Sequence, residues 1–517
     1  MIKKLLLILF LPLFTSAQTW SGEVASIIYD KCSRCHNSNG IAPFELMSFQ
    51  DAVDNASDIE SAVTDRVMPP WPPDPAYSGF AHQRVLSAQE ITDITAWVAN
   101  GTPRGDSLQE PGAPVFTGIA QISTPDLIVQ IPAFTINTPS DDLYRCFVLP
   151  TGISLHKYIT AMEAVPGNRA VVHHVLIYAD TSSVPDQLDA ADPGPGYTSF
   201  GGTGSPNSKL LGVWVPGQEA EFLPSGMGIG LEANSKIILQ IHYPRGISNQ
   251  VDSTQIRFQL TSNFQREVYI TTPLHHGDLD NGPLYIPANT TRTFTAHYQV
   301  TFDITALAVG PHMHLIGRSI QSYGVTPGND TIPFIDIPEW DFHWQGMYHF
   351  PRLLKIPNGT TLYSSAYYDN TVNNPNNPNN PPQPVFLGEA TTDEMMLVFF
   401  SYTFYFPGDE NVIIDTSVVA SVPGINYSQI VSTAQLYAPY PNPTTGDFQV
   451  DYFLPKNSTV KFRILDLQGK EVWNSGTKNV PAGYQKQWIG NFHSGKGEFL
   501  LQLQSETGTR IQKILIR

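Results

Sequence analysis

The spacing of apolar residues changes once along this chain, and that change limits the folds open to it. Residues 20–104 carry apolar side chains at helical spacing, as in Ile91, Ile94, Trp97 and Val98. After about residue 126 apolar and polar residues alternate between turn residues, as in Lys236–Tyr243. Helical spacing indicates amphipathic helices, whereas alternation indicates strands with one buried face. We therefore expect a small all-α domain followed by all-β sandwiches.

Capping signals place helices within the first region. Ser48 with Asp51, and Ser87 with Glu90, have the spacing of capping boxes. We expect a helix to begin at each pair, after an earlier helix whose apolar face includes Val24 and Ile28.

The N-terminus has the pattern of an export signal. Lys3 and Lys4 precede an apolar run, Leu5–Phe14, and small residues follow. The run is too short for a transmembrane helix, which needs about 20 residues. We expect a signal peptide at 1–17 and no transmembrane segment in the mature chain. The formal charge of −17 disfavours nucleic acid and anionic membrane surfaces.

A covalent haem site is predicted by Cys32-Ser33-Arg34-Cys35-His36. Cys-x-x-Cys-His supplies two thiols for thioether bonds and an imidazole for the iron. The alternatives are a redox disulfide or half of a zinc site. A zinc ribbon needs a second cysteine pair, and the remaining cysteine of the chain is Cys146. With two cysteines in the motif, disulfides are not expected to stabilise this protein, and Cys146 is expected to be a buried thiol.

The sixth ligand of the haem iron is predicted to be Met68, in Val67-Met68-Pro69-Pro70. Prolines restrict the local backbone, so such a loop could hold a thioether against the iron. Met47 and His82 remain alternatives. Residues 20–104 resemble class I cytochromes c, which carry the haem motif near their start and a ligand methionine before the last helix.

Histidines in the β region form candidate metal sites. In a strand, His312 and His314 would project to one face, with Met313 turned into the core. Adjacent His173 and His174 could bind one metal only at a bulge or strand end. Imidazole suits copper in both oxidation states, and a thioether favours Cu(I). His275-His276 is a further pair without an identified partner.

Four motifs in this region carry a family resemblance: Val172-His173-His174-Val175, Leu239-Gln240-Ile241-His242-Tyr243, His312-Met313-His314 and Thr392-Asp393-Glu394-Met395. Their order resembles that in copper type II, ascorbate-dependent monooxygenases, the relatives of dopamine β-hydroxylase and the peptide-amidating hydroxylase. The resemblance covers roughly 125–410. It implies two tandem jelly-roll domains that face each other across a solvent-filled cleft.

The resemblance also implies two copper ions with different roles. By position, His173, His174 and His242 match the electron-donating copper. His312, His314 and Met395 match the copper that binds O2 and activates the substrate, and Met396 is expected in the core. Gln240 lies two residues before His242 and is a candidate supporting residue at the catalytic site, with a plain structural amide as the alternative.

Departures from the family pattern bear on the substrate. The peptide-amidating member binds a peptide carboxylate with an arginine, an asparagine and a tyrosine. At those positions this chain has Gly310, Leu397 and Phe399. We therefore expect a different, less polar small organic substrate.

The C-terminal region resembles the sorting domain of type IX secretion substrates of Bacteroidetes-like Gram-negative bacteria. It opens with Tyr440-Pro441-Asn442-Pro443, contains an Asp466–Gly469 turn and has a basic end. The resemblance implies the type IX secretion machinery as a partner, and release or attachment at the cell surface. An ordinary carbohydrate-binding or immunoglobulin-like sandwich is the alternative.

The expected architecture is therefore multidomain, with these boundaries: signal peptide 1–17, cytochrome c-like haem domain 20–104, linker 105–124, N-terminal copper domain 125–265, C-terminal copper domain 266–415, and a small β-sandwich for sorting at 434–517. The expected function is a secreted copper monooxygenase that hydroxylates a C–H bond with O2. Its electrons would come from an external donor through the fused haem c. Two alternatives remain: a non-catalytic surface protein for electron transfer or copper binding, and a degenerate adhesion module.

Overall fold

The computed structural model describes residues 18–38, 40, 42–116, 120–414, 434–436, 439, 443–454, 456–480, 483–490, 492 and 495–517. The predicted signal peptide and Tyr440–Asn442 lie outside these residues. Strands are the main regular structure of the described chain, and a small helical region lies near its N-terminus. It divides into two compact units, one comprising residues 1–71 and 83–119, the other 72–82 and 120–517.

The first unit is helical. Its described residues form a π-helical turn, Trp20–Val24, followed by α1 (Ala25–Lys31), α2 (Phe49–Asp54), α3 (Ala56–Thr64) and α4 (Ala88–Ala99). The predicted capping box at α4 is confirmed, because Ser87 Oγ accepts from Glu90 N and the Glu90 carboxylate accepts from Ser87 N. At α2, Ser48 also accepts from Asp51 N, but the Asp51 carboxylate turns to Met47 N.

The core of the first unit is aromatic at its centre. Trp20 and Trp97 are fully buried, with ring centroids 6.1 Å apart. Val24 and Ile28, the predicted apolar face of the earliest helix, are also fully buried. The break between α2 and α3 at Asn55 was not expected, since no proline or glycine marks it.

Residues 72–82 belong to the second unit, although they lie between α3 and α4 in sequence. Ala81 N donates to His349 O (2.8 Å), and the Phe80 ring packs on Tyr348 and Phe350 at 5.4 and 5.9 Å. This segment therefore packs against residues 348–350 of the second unit.

The second unit begins with a two-sheet region, which we call the first half. Its elements are β1 (Leu127–Gln130), β2 (Phe134–Thr138), β3 (Leu143–Pro150), β4 (Lys157–Val165), β5 (His174–Asp180), α5 (Val184–Ala191), β6 (Tyr197–Thr198), β7 (Lys209–Trp214), β8 (Glu221–Phe222), β9 (Met227–Leu231), β10 (Lys236–Tyr243), β11 (Ile247–Asp252), β12 (Gln255–Thr261) and β13 (Arg266–Glu267). One sheet has the order β1-β12-β4-β9-β13, with β8 on β4, and the other β6-β3-β10-β5-β7. A further pair is β11-β2.

Strand β10 lies in the middle of its sheet, and both of its faces are buried, whereas its alternating sequence predicted one buried face. It pairs with β3 on one side and β5 on the other, and all its residues after Lys236 are buried. One face packs in the main core with Ile241, and Ile238 on the other face packs with Tyr197 and Cys146. The strand was predicted correctly, but not that both faces are covered. Cys146 is the buried thiol that we expected.

The following region, the second half, has its own sheets. Its elements are β14 (Tyr269–His275), β15 (Tyr285–Ile286), β16 (Thr290–Gln299), β17 (Ile304–His312), β18 (Gly317–Val325), β19 (Thr331–Ile337), β20 (Tyr348–Ile356), β21 (Thr361–Asn370), β22 (Val385–Phe386), β23 (Leu397–Phe404) and a 3₁₀ turn, Asp409–Asn411. The sheet orders are β14-β23-β17-β20, β16-β21-β18-β19 and β15-β22.

The two halves are packed together. Leu307 and Leu353 of the second half are part of the main core of the first. Arg266 pairs with Asp409 across a 2.9 Å contact, with both side chains buried.

The last region is a small β-structure with a separate core. Its strands are β24 (Gln435–Leu436), β25 (Phe448–Leu454), β26 (Ser458–Leu465), β27 (Glu471–Val480), β28 (Gly483–Ile489), β29 (Gly497–Ser505) and β30 (Gly508–Ile516). They form the sheets β24-β25-β28 and β27-β26-β29-β30. The predicted turn is present, since Gly469 N donates to Asp466 O.

Candidate metal centres

The first histidine set is assembled at the end of one sheet. β5 begins at His174, so His173 lies just before the strand, as expected for adjacent histidines that face one site. His173 N donates to His242 O (3.0 Å), which ties it to β10. His173 Nδ1 lies 3.3 Å from His174 Nδ1 and 3.2 Å from His242 Nδ1. Three ring nitrogens thus converge on one point, with all ligand atoms within 4.8 Å of one another.

The electrostatics of this set suit a metal cation. Burial, followed by repulsion from His242, lowers the pKa of His173 to about 3. Burial also lowers the pKa of His174 well below its usual value. Neutral imidazoles are the form that binds metals. Tyr144 stacks on His242 at 4.3 Å, and Asp142 Oδ1 lies 3.7 Å from His242 Nε2.

The second set lies where β17 ends. His312 is the last residue of the strand, and its ring centroid is 5.2 Å from that of His314. Met313 between them is fully buried, as expected. His314 Nδ1 faces Asp393 O (3.1 Å), and His312 Nδ1 faces Gln345 Oε1. Because both acceptors are oxygens, each Nδ1 carries the proton and each Nε2 is left free to bind a metal.

Burial keeps these two rings neutral as well. It lowers the pKa of His312 to about 4 and the pKa of His314 to about 3. Met395 and Met396 are both buried, but Met395 lines the adjoining cavity, whereas Met396 is in the core.

Glu394 holds the backbone of the second set. Its carboxylate is fully buried and accepts from His314 N and Ile316 N (both 2.8 Å), Met395 N (3.1 Å) and Gly317 N (3.2 Å). Burial raises the pKa of this carboxyl to about 8, although the N–H donors favour the charged form. One side chain therefore fixes the segments that carry His314 and Met395.

A cavity of about 280 Å³ joins the two sets. Its lining includes residues from both halves: Tyr144, His174, Leu176, Tyr178, Gln240, His276, Gly310, His312, His314, Phe342, Gln345, Met347, Glu389, Met395, Leu397 and Phe399. Among the described residues that line it there is no lysine or arginine. Among these lining residues the acidic side chain is that of Glu389, and burial raises the pKa of its carboxyl group.

Gly310 restricts what the cavity can bind. A Cβ atom there would lie 2.4 Å from Met347 Sδ and 3.1 Å from Gly346 O. A larger side chain at this position would fit only if the Met347 side chain moved and the Gly346 carbonyl gave way slightly. Leu397 and Phe399 present apolar surface at the other two positions.

Gln240 lines the cavity. Its Nε2 donates to Ser199 O (2.9 Å) and Gly202 O (2.7 Å) and so holds the 199–202 loop. His276, which had no partner in the sequence, also lines the cavity and accepts from Met396 N at 3.4 Å. Sequence reasoning also missed Asp142, Phe342 and Gln345, because they belong to no motif and reach the histidines from distant segments.

The predicted haem motif forms a turn at the end of α1. Cys35 N and His36 N both donate to Cys32 O, at 3.1 and 3.0 Å. These hydrogen bonds fold the backbone of the motif into a tight turn. His36 Nδ1 donates to Phe44 O at 2.9 Å, which leaves Nε2 available for iron. Both thiols are free of disulfides, and burial raises the pKa of Cys32 to about 12. These features are compatible with a haem.

The predicted axial ligand is less enclosed. Met68 is 40% exposed, and its backbone N donates to Ala62 O. Of the two alternatives, Met47 lies in the first unit, and its carbonyl accepts from Tyr29 Oη, whereas His82 lies in the second unit.

Two segments match known protein families. Residues 286–419 match the C-terminal domain of copper type II ascorbate-dependent monooxygenases. Residues 438–517 match the secretion system C-terminal sorting domain. That domain indicates secretion or cell-surface attachment in Bacteroidetes, as we predicted. Within the described part of the chain, every helix is too short or too polar to traverse a bilayer.

Two curated relatives are about a quarter identical to this chain over the aligned residues. A human DBH-like monooxygenase protein 2 is 26% identical over 290 residues, which are 52% of this chain and 54% of the relative. MOXD1 homolog 1 of Drosophila melanogaster is 25% identical over 334 residues, 58% of this chain and 46% of that protein. The chain thus spans about half the length of these relatives.

Among solved structures, a Faecalibacterium prausnitzii β-glucuronidase aligns over 69% of this chain and 46% of its own, at 10% identity and a TM-score of 0.13. That score is too low to indicate a shared fold. The sequence matches therefore carry the assignment: the chain contains a copper monooxygenase-like domain and a secretion sorting domain.

Proposed function

We propose that this protein is a copper-dependent monooxygenase that hydroxylates a C–H bond of a small organic molecule with O2. The observation that carries the proposal is the shared cavity, since His174 of one histidine set and His312, His314 and Met395 of the other all line it. The two-sheet arrangement of both halves is compatible with tandem jelly rolls at 125–265 and 266–415.

Two copper ions fit the ligand sets. His173, His174 and His242 would hold one through their converging Nδ1 atoms. His312, His314 and Met395 would hold the other, with sulfur favouring its reduced form. Copper bound in this way would supply one-electron chemistry at each site, and hydroxylation with O2 consumes two electrons.

The residues around the copper ligands would hold the ligand side chains in position to bind copper. Glu394 fixes the loop segments of the second set. Hydrogen bonds to Asp393 O and to Gln345 Oε1 keep the proton on Nδ1 of His314 and of His312, respectively. Gln240 has a supporting role in this proposal, because it holds the 199–202 loop against the cavity.

The cavity favours a substrate without an acidic group. Its described lining has no lysine or arginine, and the Gly310, Leu397 and Phe399 positions offer only backbone or apolar surface. A hydrophobic small molecule is therefore the substrate class that the cavity suits best.

We further propose that haem c at Cys32, Cys35 and His36, with Met68 as sixth ligand, passes electrons from an external donor to copper. A fused haem is present at high effective concentration, so electron transfer to copper does not wait for a reductant to diffuse to the copper sites, while the external donor re-reduces the haem for each of the two electrons. In stopped-flow experiments, reduced haem should be reoxidised by O2 only when copper is loaded. Removal of 20–104 should then make turnover depend on an added small reductant. Unchanged turnover with the natural donor would contradict the haem proposal.

Oxygen uptake tests the enzyme proposal itself. The copper-loaded full chain should consume O2 only with certain C–H substrates, and each O2 consumed should yield one hydroxylated product. A non-catalytic electron-transfer or copper-binding protein would show substrate-independent uptake or none.

A further inference from the structure

One loop of the second half contacts ligands of both histidine sets. Residues 338–347 connect β19 to β20. Gln345 Oε1 accepts from His312 Nδ1, and Trp340 Nε1 donates to His314 O at 3.1 Å. The Phe342 ring reaches the other set, where it lies on His173. No motif in the sequence indicated this loop.

Phe342 lies between the two sets. Its ring stacks on His173 with centroids 5.0 Å apart and an interplanar angle of 18°. The same ring meets His314 edge to face, at 6.0 Å and 89°. Both geometries are favourable for aromatic pairs. Gln345 Nε2 donates to Phe342 O at 2.6 Å, so the residue that orients His312 also fixes the backbone of Phe342.

We propose that Phe342 is a positioning residue: its ring lies against both His173 and His314 and fixes how these two ligands are placed relative to each other. This inference rests on the proposed function only where it concerns bound copper.

The ring has two physical consequences. By covering one face of His173, it restricts that imidazole to the orientation in which its Nδ1 converges with those of His174 and His242. Because the ring contacts both His173 and His314, it also limits how closely these two imidazoles can approach each other.

A metal-free experiment tests the shielding. Carbethoxylation of the full-length apo protein by diethyl pyrocarbonate, followed by peptide mass spectrometry, reports how accessible each histidine is. In Phe342→Ala we expect His173 and His314 to react several-fold faster than in the parent. Phe342→Leu should largely restore protection, since it retains bulk at this position. Circular dichroism of each variant checks that the fold is retained.

Trp344→Ala is the matched control. Trp344 lies in the same loop, and among the described residues its ring stacks on no histidine of either set, so its removal should leave both reaction rates at the parental value. Equal rates in Phe342→Ala and Trp344→Ala would overturn the inference, whether or not the protein binds copper.

Copper loading supplies a second, separate readout. Pulsed EPR of the oxidised protein should give a narrow distribution of copper–copper distances in the parent and in Trp344→Ala, and a broader one in Phe342→Ala. An unchanged distribution in Phe342→Ala would overturn the positioning role. A parent protein that binds fewer than two coppers would contradict the proposed function, while the carbethoxylation result would still decide the role of Phe342.

Discussion

The carboxylate of Asp142 accepts a 2.5 Å hydrogen bond from Thr391 Oγ1, although 249 residues separate them in sequence. The same carboxylate accepts from Arg245 N and lies 3.7 Å from His242 Nε2. Thr391 belongs to the loop that leads to Met395. One interaction therefore joins the histidine set of the first half to the ligand loop of the second.

Thr391→Val removes that interaction without changing the size of the side chain. Hydrogen bonds to charged groups contribute about 1.5–3 kcal/mol, so we expect the free energy of unfolding of the β unit to fall by about 2 kcal/mol. Thr392→Val is the control, because Thr392 is exposed and should change stability by less than about 0.5 kcal/mol. Urea unfolding measures both. Equal stabilities would show that the contact does not hold the halves together.

Met395→Leu should remove the sulfur ligand while keeping the side-chain volume. We expect hydroxylation to be lost and the Cu–S scattering in X-ray absorption to disappear, with the haem spectrum intact. Met396→Leu is the matched control in the core, where a volume-conserving change costs less than about 1.5 kcal/mol. Retained activity in Met395→Leu would show that Met395 is not the sulfur ligand of the second copper.

Gly310→Ala should narrow the cavity beside the second set. The added methyl would lie 2.4 Å from Met347 Sδ, so Met347 must shift, and overpacking of this kind costs about 1–3 kcal/mol. Gly346→Ala is the control, because its Cβ would meet only Val215 Cγ2 at 3.6 Å, an ordinary contact. Thermal unfolding should separate the two variants, and equal Tm values would contradict the tight packing at Gly310.

The metal-free protein should be most stable near pH 6.5. The folded pKa values of His173, His174, His312 and His314 lie below 6.5, so the unfolded chain binds more protons as pH falls below that value, and stability is lost. Glu394 acts in the opposite sense: its folded pKa of about 8 exceeds 4.5, so its contribution is lost as pH rises towards 8.

Each of these groups changes stability by at most about 1.4 kcal/mol per pH unit. Urea unfolding of the apo protein across pH 4–8 measures the profile, and Glu394→Gln should flatten its alkaline side. A stability that keeps rising from pH 6.5 to 8 would contradict the role assigned to Glu394.

Local sequence signals predicted local structure well. The Ser87 capping box and strand β10 were found because the residues that define them are adjacent or regularly spaced. The division of α2 from α3 at Asn55 was missed, since the helical spacing continues across it. Adjacent His173 and His174 required an irregular backbone, and β5 does begin between them.

Contacts between distant segments could not be predicted in the same way. Asp142, Phe342 and Gln345 reach the histidines only because two β halves pack together, and a single sequence does not reveal which loops will meet. Gly310 is a similar case: the sequence shows that an arginine is missing, whereas the structure shows that Met347 packs closely against this position.

Metal analysis of the purified full-length protein tests the central claim most directly. We predict two copper ions per chain, one held by His173, His174 and His242 and the other by His312, His314 and Met395, together with one covalent haem. His242→Ala should then retain a single copper, at the second set. Zinc in place of copper, or one ion per chain in the unaltered protein, would contradict the assignment of both sites.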